Sequence, residues 1–254
     1  MTKPVSIWTR RVIYLLLISF LGLLFAVQFP QWFVKQQFTY KCFDVFASAS
    51  LSCDQHCQAV LDSAQLLLQQ SAFYQPEQVF ELYFVQGTAY EQLLGLFGIS
   101  NIASSKYDKH IYLGQPDFKH GILRQGDHPY QWLNLVQIIS HEGVHSQMYT
   151  DYTNWWGGMQ TPSWLNEGYC EYIAYQPYNQ APGYQVRQTY ERFLRETEDW
   201  VKTEHGAFTP RVYLRDRMLM EYLLLEQELS IEQVIEAKHS DQQVWSELEL
   251  TYKD

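Results

Sequence analysis

The segment that most constrains the fold is IISHEGVH, residues 138–145, because its chemistry requires a helix. Positions i and i+4 of an α-helix lie on the same face, so His141 and His145 can present two imidazoles to one metal ion. Glu142 lies about 100° further round the helix, where it can act as a base for a metal-bound water. Gly143 costs about 1 kcal/mol of helix stability relative to Ala, which predicts a close approach of backbone or substrate there. A solvated helix face with two incidental histidines is the alternative interpretation.

A catalytic zinc site of this type needs a third protein ligand. The downstream segment PSWLNEGYCEYIA, residues 162–174, offers Glu167 and Glu171, which lie four residues apart on one helical face. The two segments are separated by enough chain for a connecting loop and a second helix. Together they predict a zinc site between two helices.

The two motifs together resemble the gluzincin metallopeptidases, and most closely the compact group called peptidase MA-like. The resemblance rests on His-Glu-x-x-His followed by Trp-Leu-Asn-Glu-Gly at 164–168 and then Glu171. It implies Zn²⁺ bound by His141, His145 and Glu167, with Glu142 as the general base. It also implies that Glu171 steadies a ligand histidine. The likeness covers about 133–175 and extends more weakly from about 79 to 228.

The resemblance also implies a second donor to the oxyanion that forms during hydrolysis. Gluzincins commonly use a downstream Tyr or His, and Tyr213 occupies the similar place, with His205 and Arg211 as alternatives. The strand Ile111 to Leu113 resembles the edge strand that pairs with extended substrate. The Gly-x-Met-Glu-Asn motif of the similar aminopeptidases is missing upstream, so exopeptidase activity is not implied. Cys170 lies about 60° off the Glu167–Glu171 face and is interpreted as a packed thiol.

An uncharged apolar run from Val12 to Val27 follows three basic residues and predicts an N-terminal membrane segment over 1–35. The run is slightly short of the ~20 residues of a spanning helix. It is also slightly long for a signal-peptide core, and no clear small-x-small cleavage site follows. We favour an uncleaved single-pass anchor; a cleaved signal segment with secretion is the alternative, and a buried core helix is the third. Both the anchor and the signal segment place 36–254 outside the cytoplasm, in the periplasm if the protein is bacterial.

Composition limits the partners that this chain can bind. A net charge of −10 argues against a nucleic-acid partner, because phosphate binding needs clustered Lys and Arg. In an oxidising compartment two of Cys42, Cys53 and Cys57 could pair, but the sequence does not choose among the three pairings. A second zinc site from Cys53, His56 and Cys57 does not match a familiar ligand spacing. The other histidines are interpreted as surface or structural: His56, His110, His120, His128 and His239.

Hydrophobic periodicity predicts an α+β domain over 36–254 that is mainly helical with a small early sheet. The resemblance specifies a compact gluzincin-like (thermolysin-like) zincin domain, preceded by the N-terminal membrane helix. Strands are predicted in 78–86 and from Ile111 to Gly114. Helices are predicted in 57–74, where Val60, Leu61, Ala64, Leu67 and Leu68 have helical spacing, in 89–99, from Pro129 through His145, in 164–175, and at 185–201, 209–228 and 231–250.

We therefore expect a membrane-anchored extracytoplasmic zinc peptidase that hydrolyses peptide bonds in a peptide or protein substrate. A zinc hydrolase of a non-peptide amide, such as a cell-wall linkage, is one alternative, because neither motif specifies the leaving group. A non-catalytic interaction module on the same fold is the other. Glu142 beside three candidate ligands argues against the module, because binding alone has no need of a base.

Overall fold

The computed structural model describes residues 7–48, 50–85, 87–96, 103–106, 109–124, 132–151, 161–203, 206 and 208–253. These residues form a compact α+β structure, mainly helical, with small sheets. The predicted fold class is confirmed at this level, and the assignment to the gluzincin fold stays a prediction.

The largest sheet has five strands in the order β1-β2-β3-β5-β4. They are β1 Lys35–Tyr40, β2 Phe43–Ala47, β3 Phe80–Phe84, β4 Ala103–Lys106 and β5 His110–Leu113. β2, β3 and β5 run parallel, and β1 and β4 pair antiparallel with their neighbours. The strand predicted at Ile111–Leu113 is confirmed, but its interpretation as the edge strand is wrong, because β5 pairs with both β3 and β4. Among the described strands, β4 occupies that end of the sheet.

Two smaller antiparallel sheets complete the strands. One sheet consists of β6 Gln115–Asp117, β7 Ile122–Arg124 and β8 Trp132–Asn134. The other consists of β9 Trp200–Lys202 and β10 Phe208–Pro210. Three of these strands, β8, β9 and β10, overlap segments that were predicted as helix. Trp132 is thus in a strand, and the predicted helix at 185–201 ends at Arg195. Arg211 explains that end, because its Nε donates to Glu196 O (2.6 Å) and its Nη2 to Phe193 O (3.2 Å).

The helices mostly follow the predicted spans. They are α1 Ile7–Gln28, α2 Gln55–Leu68, α3 Ala89–Leu96, α4 Leu135–Asp151, α5 Ser163–Ala174, α6 Gln176–Asn179, α7 Val186–Arg195, α8 Arg211–Glu221, α9 Ile231–Ala237 and α10 Asp241–Tyr252. A 3₁₀ turn, Pro30–Trp32, follows α1 and a π-helical turn, Tyr222–Glu226, follows α8. The single helix predicted at 231–250 is two helices, because Lys238 adopts a left-handed conformation and Ser240 forms a capping box with Gln243.

The sheet separates two clusters of buried apolar side chains because successive strand residues point to opposite faces. On one face, Leu82 and Ile111 belong to the main core, which also contains buried residues of α2, α4, α5 and α8. On the other face, Tyr83 and Tyr112 pack with Tyr90 of α3. Within this core α4 contacts β4 and β5, and α5 packs on α4 and α8, so the two helices that carry the predicted ligands are held together.

The group that approaches Gly143 closely is a side chain, and not backbone or substrate as was predicted. A Cβ atom built on Gly143 would lie 2.6 Å from Cδ2 of Leu68 in α2. Gln147, one turn further along α4, donates through its Nε2 to the Leu68 carbonyl oxygen at 3.2 Å. The absence of a side chain at Gly143 thus lets α2 pack closely on the helix that carries both histidines.

The N-terminal segment is helical in the structure, as α1. Leu15, Leu16 and Ile18 are exposed on this helix. Within the described parts of the chain, no helix combines the length and the hydropathy of a membrane span. The membrane association of 1–35 stays a prediction.

Two of the three clustered cysteines are adjacent in the structure. The Sγ atoms of Cys53 and Cys57 lie 2.6 Å apart.

Candidate metal centre

Two packed helices supply the candidate ligands. His141 and His145 lie one turn apart on α4, and Glu167 lies in the second turn of α5. Both imidazoles are buried and Glu167 is partly buried. One ligand atom from each of the three residues lies within 4.8 Å of the others. Among the described residues this is the only such group, so Cys53, His56 and Cys57 do not form a second one.

The three ligand atoms have the mutual spacing that a tetrahedral zinc site requires. The Nε2 atoms of His141 and His145 are 3.1 Å apart. Glu167 Oε2 lies 3.2 Å from Nε2 of His141 and 3.5 Å from Nε2 of His145. Ligands about 2.0–2.1 Å from one tetrahedral zinc ion are about 3.3 Å from each other. The three residues could therefore hold a zinc ion with little movement.

The outer nitrogen of each imidazole has its own partner. His141 Nδ1 lies 3.1 Å from Glu171 Oε1, and His145 Nδ1 lies 3.1 Å from Asn166 Oδ1. Such contacts fix the tautomer and direction of a ligating imidazole. Glu171 thus contacts one candidate ligand, His141, and its role in steadying that imidazole stays a prediction. Asn166 was missed as a site residue, although it is part of the Asn-Glu-Gly motif.

The electrostatics of the cluster favour a bound cation. Burial lowers the pKa of His141, but contacts with Glu167 and Glu171 outweigh burial and raise it well above the usual value. Burial raises the pKa of Glu167, but contacts with both histidines outweigh burial and hold it below its usual range. The carboxylates therefore stabilise a positive charge between the imidazoles, and a metal ion would meet the same field.

Glu142 lies beside the ligand cluster and is not part of it. Its side chain is buried, and its Oε2 accepts a hydrogen bond from the backbone N–H of Ser105 at 2.6 Å. Ser105 belongs to β4, the end strand of the sheet, and was not identified from the sequence. A carboxylate held next to three metal-ligand atoms, without being one of them, has the arrangement of a general base.

Tyr213 lies over the cluster from the first turn of α8. Its ring stacks on that of His141, with centroids 5.7 Å apart and planes 16° from parallel. It lines the same cleft as Glu142 and Glu167. Arg211 is bound to the end of α7 instead, and His205 lies outside the described residues. Cys170 is completely buried, which raises its thiol pKa well above the usual value and confirms the packed thiol.

Comparison with models of known protein families finds no model that matches the chain. Comparison with curated proteins finds no significant match. The functional conclusion therefore depends on the geometry of the site.

Proposed function

We propose that the protein is a zinc-dependent peptidase of the gluzincin type. The observation that carries the proposal is the set of three ligand atoms 3.1–3.5 Å apart, with Glu142 lining the same cleft. The pairing of each imidazole with Glu171 or Asn166 further supports it. A module that only binds a partner has no use for the buried carboxylate of Glu142, so hydrolysis is favoured over the interaction module.

The residues have distinct roles in the proposed reaction. His141, His145 and Glu167 would hold zinc, which when bound lowers the pKa of a coordinated water and polarises the scissile carbonyl. Glu142 accepts a proton from the attacking water and delivers it to the leaving nitrogen. The Ser105 N–H holds one oxygen of Glu142 and leaves the other for this transfer. Tyr213 would donate a hydrogen bond from its hydroxyl to the oxyanion that develops on the carbonyl oxygen.

The proposed location is a membrane surface, with residues 36–254 outside the cytoplasm. Three basic residues, Lys3, Arg10 and Arg11, precede the apolar run, which favours retention of the N-terminus inside. The exposed apolar side chains of α1 support an apolar surrounding for this helix. A peptide or protein outside the cytoplasm is then the proposed substrate.

Chelation tests the proposed function directly. We expect the full-length chain, purified in detergent, to hydrolyse members of a mixed fluorogenic peptide library. Dialysis against a chelator should reduce the rate to background, and one equivalent of Zn²⁺ should restore it, whereas Mg²⁺ should not. Circular dichroism before and after chelation controls for unfolding. A hydrolysis rate that survives complete removal of zinc would contradict the proposal.

A further inference from the structure

A second cavity of about 240 Å³ lies beside the metal cleft and shares His141, Glu142 and Tyr213 with it. Its walls are mostly apolar or aromatic, and they come from α4, α5, α8, β4, β8 and the β9–β10 hairpin. The wall residues that matter here are Leu133, Ile138, Trp200, Phe208 and Pro210. The cavity is smaller than the ~300–1,000 Å³ of pockets for drug-sized ligands, so it suits a single side chain.

Besides His141, whose Nδ1 contacts Glu171 Oε1, two polar side chains that line this cavity each have a buried atom without a hydrogen-bond partner. Gln137 is 8% exposed, and its Nε2 donor is unpaired. Glu171 is 5% exposed, and its Oε2 is unpaired although its other oxygen contacts His141. Buried polar atoms are normally hydrogen-bonded, so two orphaned atoms at one cavity indicate a ligand group that completes them.

The chemistry of the two atoms restricts that ligand group. The amide of Gln137 needs an acceptor, and the carboxylate oxygen of Glu171 needs a donor. A hydroxyl group does both. A carboxylate would be repelled by Glu142 and Glu171, and a cation would leave the Gln137 donor facing a positive charge. The aromatic and apolar walls favour a ring over a short polar chain.

We propose that this cavity is a specificity pocket for a tyrosine side chain next to the scissile bond of the substrate. The phenol oxygen accepts from Gln137 Nε2 and its O–H donates to Glu171 Oε2. The position next to the scissile bond rests on the proposed function, because the pocket adjoins Glu142. Gln137 and Glu171 are then the residues that distinguish tyrosine from phenylalanine.

Ligand binding tests the pocket without hydrolysis. The dissociation constants of N-acetyl-tyrosine amide and N-acetyl-phenylalanine amide are measured by NMR on the full-length, chelator-treated chain. The matching glutamine and lysine amides serve as competitors. We expect the tyrosine amide to bind at least about tenfold more tightly than the phenylalanine amide, because a site that hydrogen-bonds a hydroxyl rejects its analogue. In Gln137→Leu the preference should fall sharply because one of the two hydrogen bonds is lost, and in the exposed control Gln242→Leu it should remain.

Gln137→Met provides a second variant if Gln137→Leu does not fold. The inference would be overturned by equal binding of the two amides, by tighter binding of the glutamine or lysine amide, or by no binding of any of them. A tyrosine preference that is unchanged in Gln137→Leu and in Gln137→Met would also overturn it. Zinc-dependent cleavage at sites without an adjacent tyrosine would also overturn it, while leaving the proposed peptidase function intact. If the chain shows no zinc-dependent hydrolysis but still prefers the tyrosine amide, the proposed peptidase function is refuted and the tyrosine-binding pocket is not.

Discussion

Replacing Glu142 with glutamine is expected to lower kcat for peptide hydrolysis by about 10²–10⁴-fold, the usual contribution of a general base. The carboxamide is nearly isosteric, and its oxygen can still accept from the Ser105 N–H, so the β4–α4 contact should persist. What is lost is the ability to take a proton from the attacking water. Because Glu142 is not among the three candidate ligands, the zinc content should remain that of the wild type. Steady-state kinetics and metal analysis of one preparation measure both quantities.

The matched control for this variant is Glu191→Gln. Glu191 is an exposed residue of α7 whose partner is Arg187, one turn earlier, and exposed pairs of this kind contribute little. The kcat of the Glu191→Gln variant should equal that of the wild type. Wild-type kcat in Glu142→Gln would show that the base is elsewhere, and loss of zinc would show that Glu142 is a ligand.

Replacing Gly168 with alanine is expected to lower the free energy of unfolding by about 1–3 kcal/mol or more, the usual cost of overpacking a core. A Cβ atom on Gly168 would lie 2.5 Å from the backbone O of Asp216 and 2.9 Å from its carbonyl carbon. These are backbone atoms of α8, so no side-chain rotation relieves the contact and α5 and α8 must separate. Since α5 carries Glu167 and α8 carries Tyr213, the separation should also weaken zinc binding.

Urea denaturation of the metal-free chain measures this loss as a shift of the unfolding midpoint. Gly95→Ala in α3 is the control, because a Cβ atom there has nothing within 4 Å. Alanine is a better helix former than glycine, so this variant should match or exceed wild-type stability by up to about 1 kcal/mol. If Gly168→Ala is as stable as Gly95→Ala, the close packing of α5 on α8 is refuted.

The candidate ligands could be predicted from the sequence because two of them follow from helical spacing and the third from a motif that the resemblance identifies. His141 and His145 are fixed by the i, i+4 relation, and Glu167 by a motif on the next long helix. Five apolar residues with helical spacing are likewise buried in α2: Val60, Leu61, Ala64, Leu67 and Leu68. Such contacts arise within one element, where the 3.6-residue period determines which side chains share a face.

The contacts between distant segments were not predictable in this way. β4 reads Ala-Ser-Ser-Lys and lacks the β-branched and aromatic residues that indicate a strand, so its contact with Glu142 was missed. The proposed role of Gln137 in ligand binding depends on the β9–β10 hairpin, which forms part of the cavity wall together with Gln137 and is distant from it in the sequence. The break at Ser240, in contrast, had a signal, because Ser-Asp-Gln-Gln is a capping-box sequence.

The metal content of the full-length chain, measured beside that of Glu167→Ala, tests the central claim most directly. Both proteins are purified in detergent, offered Zn²⁺, and dialysed before elemental analysis and a check of folding by circular dichroism. We predict about one zinc per wild-type chain and a sharp drop in the variant, because two imidazoles without the carboxylate make an incomplete structural or catalytic site. Well-folded wild-type protein that binds no zinc would contradict the account.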